Sequence, residues 1–554
     1  MQAFIIENMA PIMFVALVVF LLLGYPAAFS LGAVGLIFAL IGIELGQFAP
    51  DFLQALPERI YGVMSNDTLL AIPFFTFMGL VLERSGMAED LLDTIGQLFG
   101  TVRGGLAYAV IFVGALLAAT TGVVAASVIS MGLISLPIML RYGYDRRVAS
   151  GVIAASGTLA QIIPPSLVLI VMADQLGRSV GDMYEGAFIP GIVLAGLYAL
   201  YIFLVTVLYP KATPGLPTEA VGFREPSGSR GLASLAVLTV FSGVFGWLMM
   251  RNSTSRGADF VVLSMFFGIM FAFGVAVINW LANRLLGFRF LSHMAQQTTF
   301  VMVPPLFLIF LVLGTIFIGV ATPTEGGAMG ASGALILGAL KRRLNWDLIR
   351  QATESTAKLS AFVVFILIGA RVFSLTFYGV SGHLWVEHLL VSLPGGQVGF
   401  LLFVNAFVFV LAFFLDFFEL AFIVIPLLGP AAEHLGIDLI WFGVILGVNM
   451  QTSFMHPPFG FALFYLRSVA PKESFVDRVT GKRTDGVTTG QIYWGAVPFV
   501  VIQVIMVVLV ILFPRMVMHY KGAASTIDPD KVKIEIPQID LPPPALDFGE
   551  PRKN

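Results

Sequence analysis

The chain has 554 residues, of which 58% are hydrophobic and 12% are charged, and its formal net charge is -2. A soluble domain carries roughly 25% charged residues, so this chain has too few polar side chains to cover a water-soluble body. The composition predicts an all-α polytopic membrane protein and excludes a nucleic-acid-binding protein, a cytosolic enzyme and a disordered scaffold. Cysteine is absent, which excludes disulfides and thiolate metal sites.

Apolar stretches of about 20 residues, enough to cross a hydrocarbon core roughly 30 Å thick, recur along the chain. The first lacks a basic flank and a cleavage site, so we interpret it as mature structure and not as a signal peptide. Its Gly24-Tyr25-Pro26 sequence favours a break into two short helices. The predicted spans lie at residues 11–43, 68–82, 188–209, 232–250, 260–286, 299–320, 322–340, 357–378 and 492–513.

Two further apolar runs are longer than 30 residues and carry polar residues at their middle. The run at 104–140 contains Thr120-Thr121-Gly122, and the run at 395–428 contains Asp416 and Glu419. A polar tip between two apolar arms predicts a re-entrant hairpin in each run.

Two other apolar segments are interrupted by adjacent prolines. The segment at 148–172 contains Pro164-Pro165, and the segment at 439–466 contains Pro457-Pro458. A helix cannot continue through two prolines, which lack N–H donors and clash with the preceding turn. We therefore predict two discontinuous transmembrane helices.

Glycine and proline landmarks recur in the same order in the two halves of the chain, at offsets between 289 and 309 residues. Gly104 matches Gly395, Pro137 matches Pro426, and the two Pro-Pro pairs match each other. This ordered series predicts a duplication. The predicted domains are a first repeat at 1–210, an insertion with two extra spans at 211–298, a second repeat at 299–514 and a polar, proline-containing tail at 515–554.

The distribution of basic residues indicates that the two repeats are inverted. Five arginines flank the base of the first hairpin, whereas no Lys or Arg occurs from 372 to 466. The positive-inside rule places the first base in the cytoplasm and the second on the other side. The five arginines are Arg84, Arg103, Arg141, Arg146 and Arg147.

Inverted repeats with broken helices are the layout of secondary transporters. A break frees backbone N–H and C=O groups, which are costly in hydrocarbon unless they line a cavity and meet a ligand. Freed carbonyls and Ser, Thr or Asn oxygens suit Na⁺, whereas helix N-termini favour anionic groups. The pattern therefore predicts an ion and substrate site near the middle of the bilayer.

Each candidate residue also has a structural interpretation. Thr120, Thr121 and Ser127 could bind a ligand or bond to their own helix backbone. Asp416 and Glu419 lie in an apolar run, where an ionisable residue indicates function, although a shallow hairpin tip would expose them to water.

Two other polar residues leave the same choice open. His456 could bond a carboxylate or be a satisfied structural histidine. Arg371 could pair with a substrate anion, although snorkelling to the interface is favoured.

The sequence lacks a nucleotide-binding P-loop, so transport energy must come from an ion gradient or from a separate subunit. His383, Glu387 and His388 resemble a metal cluster only superficially, because the ligand that would complete a site is not identifiable. We predict no metal site there.

Several motifs resemble those of the large membrane subunit of tripartite ATP-independent periplasmic (TRAP) transporters, the DctM-like family. The resemblance spans about three quarters of the chain. It rests on Ile72-Pro-Phe-Phe-Thr-Phe-Met-Gly79, Gly143-Tyr-Asp145, Ile163-Pro-Pro-Ser166, Ala321-Thr-Pro-Thr-Glu325 and the stretch 449–460.

This resemblance implies an elevator-type, Na⁺-coupled importer in the bacterial inner membrane, with no other cofactor. It also implies a small four-helix membrane subunit and a periplasmic solute-binding protein as partners. Its substrate would be an organic acid, with dicarboxylates, 2-oxoacids and other carboxylates all open. The implied substrate and ion site comprises Thr120, Thr121, Gly122, Ser127, Pro164, Pro165, Ser166, Asp416, Glu419, Asn449, Gln451, Thr452, His456, Pro457 and Pro458.

The Na⁺ ligand candidates in this set are Thr121, Gly122, Asp416 and Thr452. Two alternatives stay open. The first is a stand-alone ion-coupled carboxylate carrier or exchanger. The second is an intramembrane enzyme, for which Asp416 and Glu419 would be the only candidate catalytic pair.

Overall fold

The structure is a computed structural model that describes residues 2–122, 124–217, 220, 225, 231–253, 258–477, 481 and 483–519. Of residues 22, 118–121 and 258 it describes only the backbone. The predicted tail at 515–554 therefore lies outside the described residues from position 520 onwards.

The described part is helical apart from one short β-hairpin. The first eleven helices, α1 to α11, are Gln2–Glu7, Met9–Leu22, Ala27–Glu44, Leu56–Met64, Ala71–Arg84, Met87–Phe99, Gly105–Thr121, Val124–Arg141, Arg146–Thr158, Leu167–Gln175 and Val180–Leu208. Helices α12 to α24 are Leu232–Met250, Ala258–Leu286, His293–Phe317, Pro323–Leu340, Trp346–Gly379, Gly382–Val391, Gly396–Leu411, Phe417–Glu419, Ile425–His434, Leu439–Met450, Phe461–Val469, Thr489–Leu512 and Arg515–Met518. Strands β1 (Phe475–Val476) and β2 (Arg483–Thr484) pair antiparallel.

Within the described ranges, nine helices are long and apolar enough to cross a membrane, or up to eleven spans if two bent helix pairs each count as one. The predicted multi-pass helical architecture is therefore confirmed. The first predicted span divides at Gly24–Pro26 into α2 and α3, as expected. The predicted span at 322–340 forms helix α15 but is not among the nine, because its glycine-rich and polar first half lowers its mean hydropathy.

Both Pro-Pro pairs interrupt a helix. Helix α9 ends at Thr158, a single 3₁₀ turn follows at Leu159–Gln161, and α10 begins only at Leu167. In the second half, α21 ends at Met450 and a 3₁₀ turn follows at Gln451–Phe454, whereas α22 begins at Phe461. Each break thus lies where proline removes the backbone donors that a continuous helix needs.

The two predicted hairpin tips differ in their local structure. Helix α7 ends next to Gly122, whose φ of 57° lies in the left-handed region that glycine adopts without steric cost, and α8 begins at Val124. At the second tip, α18 ends at Leu411, and the short helix α19 begins after Asp416. A π-helical turn at Leu420–Val424 joins α19 to α20.

Matching landmarks of the two halves have matching conformations. Asp145 caps the N-terminus of α9, and Asp438 caps the N-terminus of α21 in the same way. Gly104 and Gly395, at the bases of the two hairpins, both have positive φ. These features agree with the predicted duplication, whereas the inverted orientation and the domain boundaries stay predictions.

The insertion forms a helical pair against the start of the second half. Helices α12 and α13 pack against each other, and both contact α14. The outer faces of this pair are largely exposed and apolar, as expected for helices that meet lipid.

The loop between α22 and α23, which includes the two strands, connects the second half to the base of the first hairpin. Arg141 at the end of α8 forms an ion pair of 2.8 Å with Asp477, which is 3% exposed. Arg146 donates to the Gly486 carbonyl, and Arg467 donates to the Val487 carbonyl. The loop is therefore attached to both halves of the chain.

Candidate transport site

Both broken helices and both hairpin tips meet at one cavity, which we call the central cavity. Its volume is about 520 Å³. The first hairpin contributes Gly122, the first break Gln161, and the second tip Asp416 and Glu419. The rest of the lining comprises Val124, Ala125, Leu167, Val168, Leu359, Phe362, Phe414, Phe417, Phe418, Phe454, Phe461 and Tyr465.

The lining is mostly apolar and aromatic, and it contains two carboxyl groups but no Lys, Arg or His among the described residues. Two carboxylates in such surroundings interact strongly with charge, because the local dielectric constant is low. The lining is therefore suited to a cation, and an anion would need a cation beside it.

Asp416 and Glu419 form a capping box at the start of α19. Asp416 Oδ1 accepts from the Glu419 backbone N–H at 2.8 Å, and Glu419 Oε2 accepts from the Asp416 backbone N–H at 2.9 Å. This arrangement satisfies two backbone donors that a helix N-terminus leaves free. One oxygen of each carboxyl group thus has a structural role, and both side chains are half-buried at the cavity.

The two broken helices contact each other directly through polar side chains. Gln451 Nε2 donates to Thr158 Oγ1 at 3.1 Å, and both residues are fully buried. This contact joins the first residue of the second 3₁₀ turn to the last residue of α9. The two breaks predicted from sequence are therefore neighbours in space.

Four buried side-chain oxygen atoms of these two broken helices have no hydrogen-bond partner in the described part of the chain, and other helices contain ten more such oxygens. Gln161 is 2% exposed and Gln451 is fully buried, and the amide oxygen of each has no partner. The buried hydroxyls of Ser156 and Ser453 also have no hydrogen-bond partner among the described residues. Unsatisfied buried oxygens are uncommon and call for a ligand, an ion or a water molecule.

The other predicted polar residues of the second break bond within the protein. Asn449 Nδ2 donates to the backbone carbonyl of Asn405 at 2.8 Å and to its side-chain oxygen at 2.9 Å. Thr452 Oγ1 donates to the Asn449 carbonyl at 2.6 Å. These bonds attach α21 to α18, the first arm of the second hairpin.

His456 is buried among aromatic rings. It stacks on Phe413 with ring centroids 4.0 Å apart and meets Phe409 edge-on at 4.4 Å. Neither ring nitrogen has a hydrogen bond of good geometry in the described part, although the backbone of Ala412 is close. His456 is not among the described residues that line the central cavity, and it forms no hydrogen bond or ion pair with Asp416 or Glu419.

The remaining predicted residues lie around the breaks and tips, and only some of them have side chains that the structure describes. Ser166 caps α10 and donates to the Gln161 carbonyl at 2.5 Å, and Ser127 is buried on α8. The side chains of Thr120 and Thr121 lie outside the described residues. The residues that shape the two breaks without lining the central cavity are Pro164, Pro165, Pro457 and Pro458.

Sequence reasoning missed several residues of this site. Thr158 and Asn405 are polar residues within apolar helices, and that signal could have indicated them. Gln161 lies in the first break, close to the two prolines, but was not among the predicted ligands. No feature of the sequence indicated the aromatic residues of the lining, because the chain contains 50 phenylalanines and nothing distinguishes these few from the others.

We expect Asn449→Leu to lower the stability of the folded protein by about 0.5–2 kcal/mol, because two buried oxygens of Asn405 lose their donor. Thermal unfolding of the purified protein in detergent measures this effect. Ser392→Ala is the control, since its hydroxyl bonds to the Leu389 carbonyl on an exposed surface. Equal melting temperatures for the two variants would contradict the predicted role of the Asn449 contact.

A helical bundle with a cavity at the junction of two broken helices and two hairpin tips defines a membrane transport protein. A family model described as "Tripartite ATP-independent periplasmic transporter, DctM component" matches residues 14–516. The chain therefore belongs to the DctM family of TRAP transporter large permease subunits, as its motifs indicated.

Named relatives agree with this assignment. The C4-dicarboxylate TRAP transporter large permease protein DctM of Pseudomonas aeruginosa is 27% identical over 472 residues, covering 84% of this chain and 89% of that protein. The sialic acid TRAP transporter permease protein SiaT of Haemophilus influenzae is 22% identical and covers 91% of this chain and 67% of that protein. Among solved structures, the YdaH transporter of Alcanivorax borkumensis has a TM-score of 0.45 at 16% identity, covering 84% of this chain and 90% of that chain.

The TRAP relatives are transporter permeases, so the chain is a permease subunit and not an enzyme. Family membership also favours a component of a TRAP system over the stand-alone carrier.

Proposed function

We propose that this chain is the permease through which a TRAP system of the bacterial inner membrane imports an organic carboxylate, driven by Na⁺. The observation that carries the proposal is the central cavity, where both breaks and both hairpin tips meet. The names of two relatives, which refer to C4-dicarboxylate and to sialic acid, support an acidic substrate. Dicarboxylates, 2-oxoacids and other carboxylates all fit this description.

Charge in the central cavity supports coupling to a cation. A carboxylate substrate would enter a lining that already contains Asp416 and Glu419 and has no basic residue among the described ones. Like charges repel strongly where the dielectric constant is low, so the anion needs a cation beside it. The driving ion would supply that charge and would make substrate and ion bind together.

The ligands proposed for Na⁺ are oxygen atoms at the breaks and tips. Gly122 and Asp416 line the central cavity, and the amide oxygens of Gln161 and Gln451 have no partner among the described residues. Hard cations take such carbonyl and carboxylate oxygens, and broken helices of transporters use them in this way. Thr121 and Thr452 remain candidates through their backbone carbonyls.

The transport cycle that we propose is of the elevator type. The two hairpins and the two broken helices would form the moving part, and the helices around them the fixed scaffold. Direct contacts support this division, because Gln451 bonds to Thr158 and Asn449 bonds to Asn405 across the elements that would move together. A small four-helix membrane subunit and a periplasmic solute-binding protein would complete the system.

Uptake by proteoliposomes tests the proposed function. The chain would be reconstituted with its small subunit, and the solute-binding protein would be added outside with its labelled organic acid. We expect an inward Na⁺ gradient to raise the initial rate at least tenfold over an equal K⁺ gradient, because the oxygen ligands at the breaks and tips are proposed to select Na⁺, and only an ion that is bound beside the substrate can couple its gradient to uptake.

Omission of the solute-binding protein is the matched control and should remove the Na⁺-driven rate. Equal uptake in Na⁺ and K⁺ would contradict the coupling, and uptake without the binding protein would favour the stand-alone carrier.

A further inference from the structure

A second cavity, which we call the vestibule, lies against the same long helix as the central cavity. Its volume is about 550 Å³. Helix α16 contributes Leu359 and Phe362 to the central cavity, and Arg371 and Ser374 to the vestibule. At 1.5 Å per residue, Phe362 and Arg371 are about 14 Å apart along the helix axis. The two cavities therefore follow each other along α16.

Basic residues at the start of α16 indicate which side of the membrane the vestibule faces. Lys341 and Arg343, just before α16, form ion pairs with Asp90, and Arg84 bonds to Gln351. The positive-inside rule places this end in the cytoplasm. Arg371 lies about 21 Å along the apolar stretch 357–378, so the vestibule lies in the half of the bilayer nearer the opposite, periplasmic side.

The vestibule lies between the scaffold and the parts that contain the breaks and tips. Arg59 on α4 and Arg371 on α16 come from two helices that pack against each other. The facing wall comes from the end of α10, with Asp174, and from α20, with Glu433. A solute in the vestibule would therefore touch both the scaffold and the broken-helix region.

The acidic groups of the vestibule already have hydrogen-bond partners. Asp174 accepts from Asn66 through Oδ1 and from Gln175 through Oδ2, both at 2.7 Å. Glu433 forms an ion pair of 3.0 Å with Arg178. The charge of Glu433 is therefore compensated by Arg178, whereas Asp174 has both oxygens hydrogen-bonded but keeps its negative charge, because its partners are neutral amides.

The two arginines of the vestibule have no side-chain partner among the described residues. Neither Arg59 nor Arg371 forms an ion pair or a side-chain hydrogen bond with the described residues, and both are exposed to the vestibule. Ser374 and Tyr378 add two hydroxyls to the same lining. Two unpaired arginines against one uncompensated aspartate, Asp174, leave the vestibule with a net positive charge and with hydrogen-bond donors, whereas the described lining of the central cavity has acidic groups and no basic ones.

We propose that the vestibule is a carboxylate-binding site, in which Arg59 and Arg371 hold the substrate anion before it moves to the central cavity. Planar guanidinium groups bind carboxylates through two parallel hydrogen bonds, which is the chemistry that these side chains offer. The site explains how an anion can approach a lining that by itself repels it. This inference rests on the proposed import of a carboxylate, but binding in the vestibule can be measured without transport.

The absence of cysteine makes the natural chain a ready background for single-cysteine labelling. Ser374→Cys places a thiol in the vestibule next to the arginines, and Ser392→Cys places one on an exposed surface after α17. The full-length protein in phosphatidylcholine vesicles would react with two methanethiosulfonates of the same size class, one anionic (sulfonatoethyl) and one cationic (trimethylammonioethyl). The ratio of the two rates reports local charge and cancels differences in exposure.

We expect the anionic-to-cationic rate ratio of the introduced thiol in S374C to exceed that in S392C by on the order of tenfold, because the net positive charge of the vestibule attracts one reagent and repels the other. Adding R59Q and R371Q to S374C should lower the ratio to the value of S392C or below it, because Asp174 then remains without an opposing charge. Succinate should slow the anionic reagent severalfold in S374C, and this protection should disappear in the variant without the two arginines.

Three results would overturn the proposal. They are a rate ratio in S374C equal to that in S392C, a ratio that survives loss of both arginines, and an absence of protection by succinate. Vesicles with phosphatidylglycerol provide the second arm, since a headgroup site would be protected by this lipid and not by succinate. These measurements need no Na⁺ gradient and no binding protein, so failure of Na⁺ coupling would leave them valid.

Discussion

Asp416→Asn is expected to lower the initial rate of Na⁺-driven uptake at least tenfold while membrane insertion and folding remain normal. Asparagine is as good an N-cap as aspartate, so its side-chain oxygen still accepts from the Glu419 N–H and α19 still begins at Phe417. The substitution removes only the charge that faces the central cavity. A hydrogen bond or contact to a charged group contributes about 1.5–3 kcal/mol, which corresponds to roughly a tenfold to hundredfold change in binding.

Two further variants separate the cap from the charge. Asp416→Ala removes both, so we expect the same loss of uptake plus a loss of stability of about 0.5–2 kcal/mol. Asp145→Asn is the matched control, because Asp145 caps α9 through the backbone N–H groups of Arg147 and Val148 and does not line the central cavity. Normal uptake by Asp416→Asn, with reduced uptake by Asp416→Ala alone, would show that Asp416 acts only as a cap.

Gly151→Val is expected to prevent accumulation of folded protein. Helices α9 and α23 are in direct backbone contact where they cross. A Cβ atom at Gly151 would lie 2.1 Å from the Gly495 carbonyl oxygen. A Cβ atom at Gly495 would in turn lie 2.2 Å from the Arg147 carbonyl oxygen. These neighbours are helix backbone and cannot rotate away, so the two helices must separate. We expect a destabilisation of about 3 kcal/mol or more.

The yield of monodisperse protein in detergent measures this effect. The matched control is Gly196→Val on α11, because a Cβ atom at this exposed position would have no heavy atom within 4 Å apart from its chain neighbours and the backbone of its own helix. We expect this control to behave like the natural chain, because it adds apolar surface where lipid is the neighbour. A normal yield of Gly151→Val would contradict the close crossing of α9 and α23.

The sequence by itself determined the membrane character of the chain, most of its spans and the positions of both helix breaks. These features depend on local properties. An apolar run of sufficient length is stable in hydrocarbon whatever its neighbours are, and adjacent prolines remove backbone donors in any context. The capping box at Asp416 and Glu419 was also within reach, since an Asp followed three residues later by Glu has that pattern.

Only the tertiary structure decided which of these features meet. The hydrogen bond from Gln451 to Thr158 joins residues 293 positions apart, and nothing local to either residue specifies it. In the same way, Arg371 alone suggested snorkelling, whereas its position in one cavity with Arg59, and without an ion pair of its own among the described residues, makes it a candidate anion ligand. The physical reason is that helix formation in a membrane is decided within each segment, whereas the composition of a cavity depends on how separate helices pack.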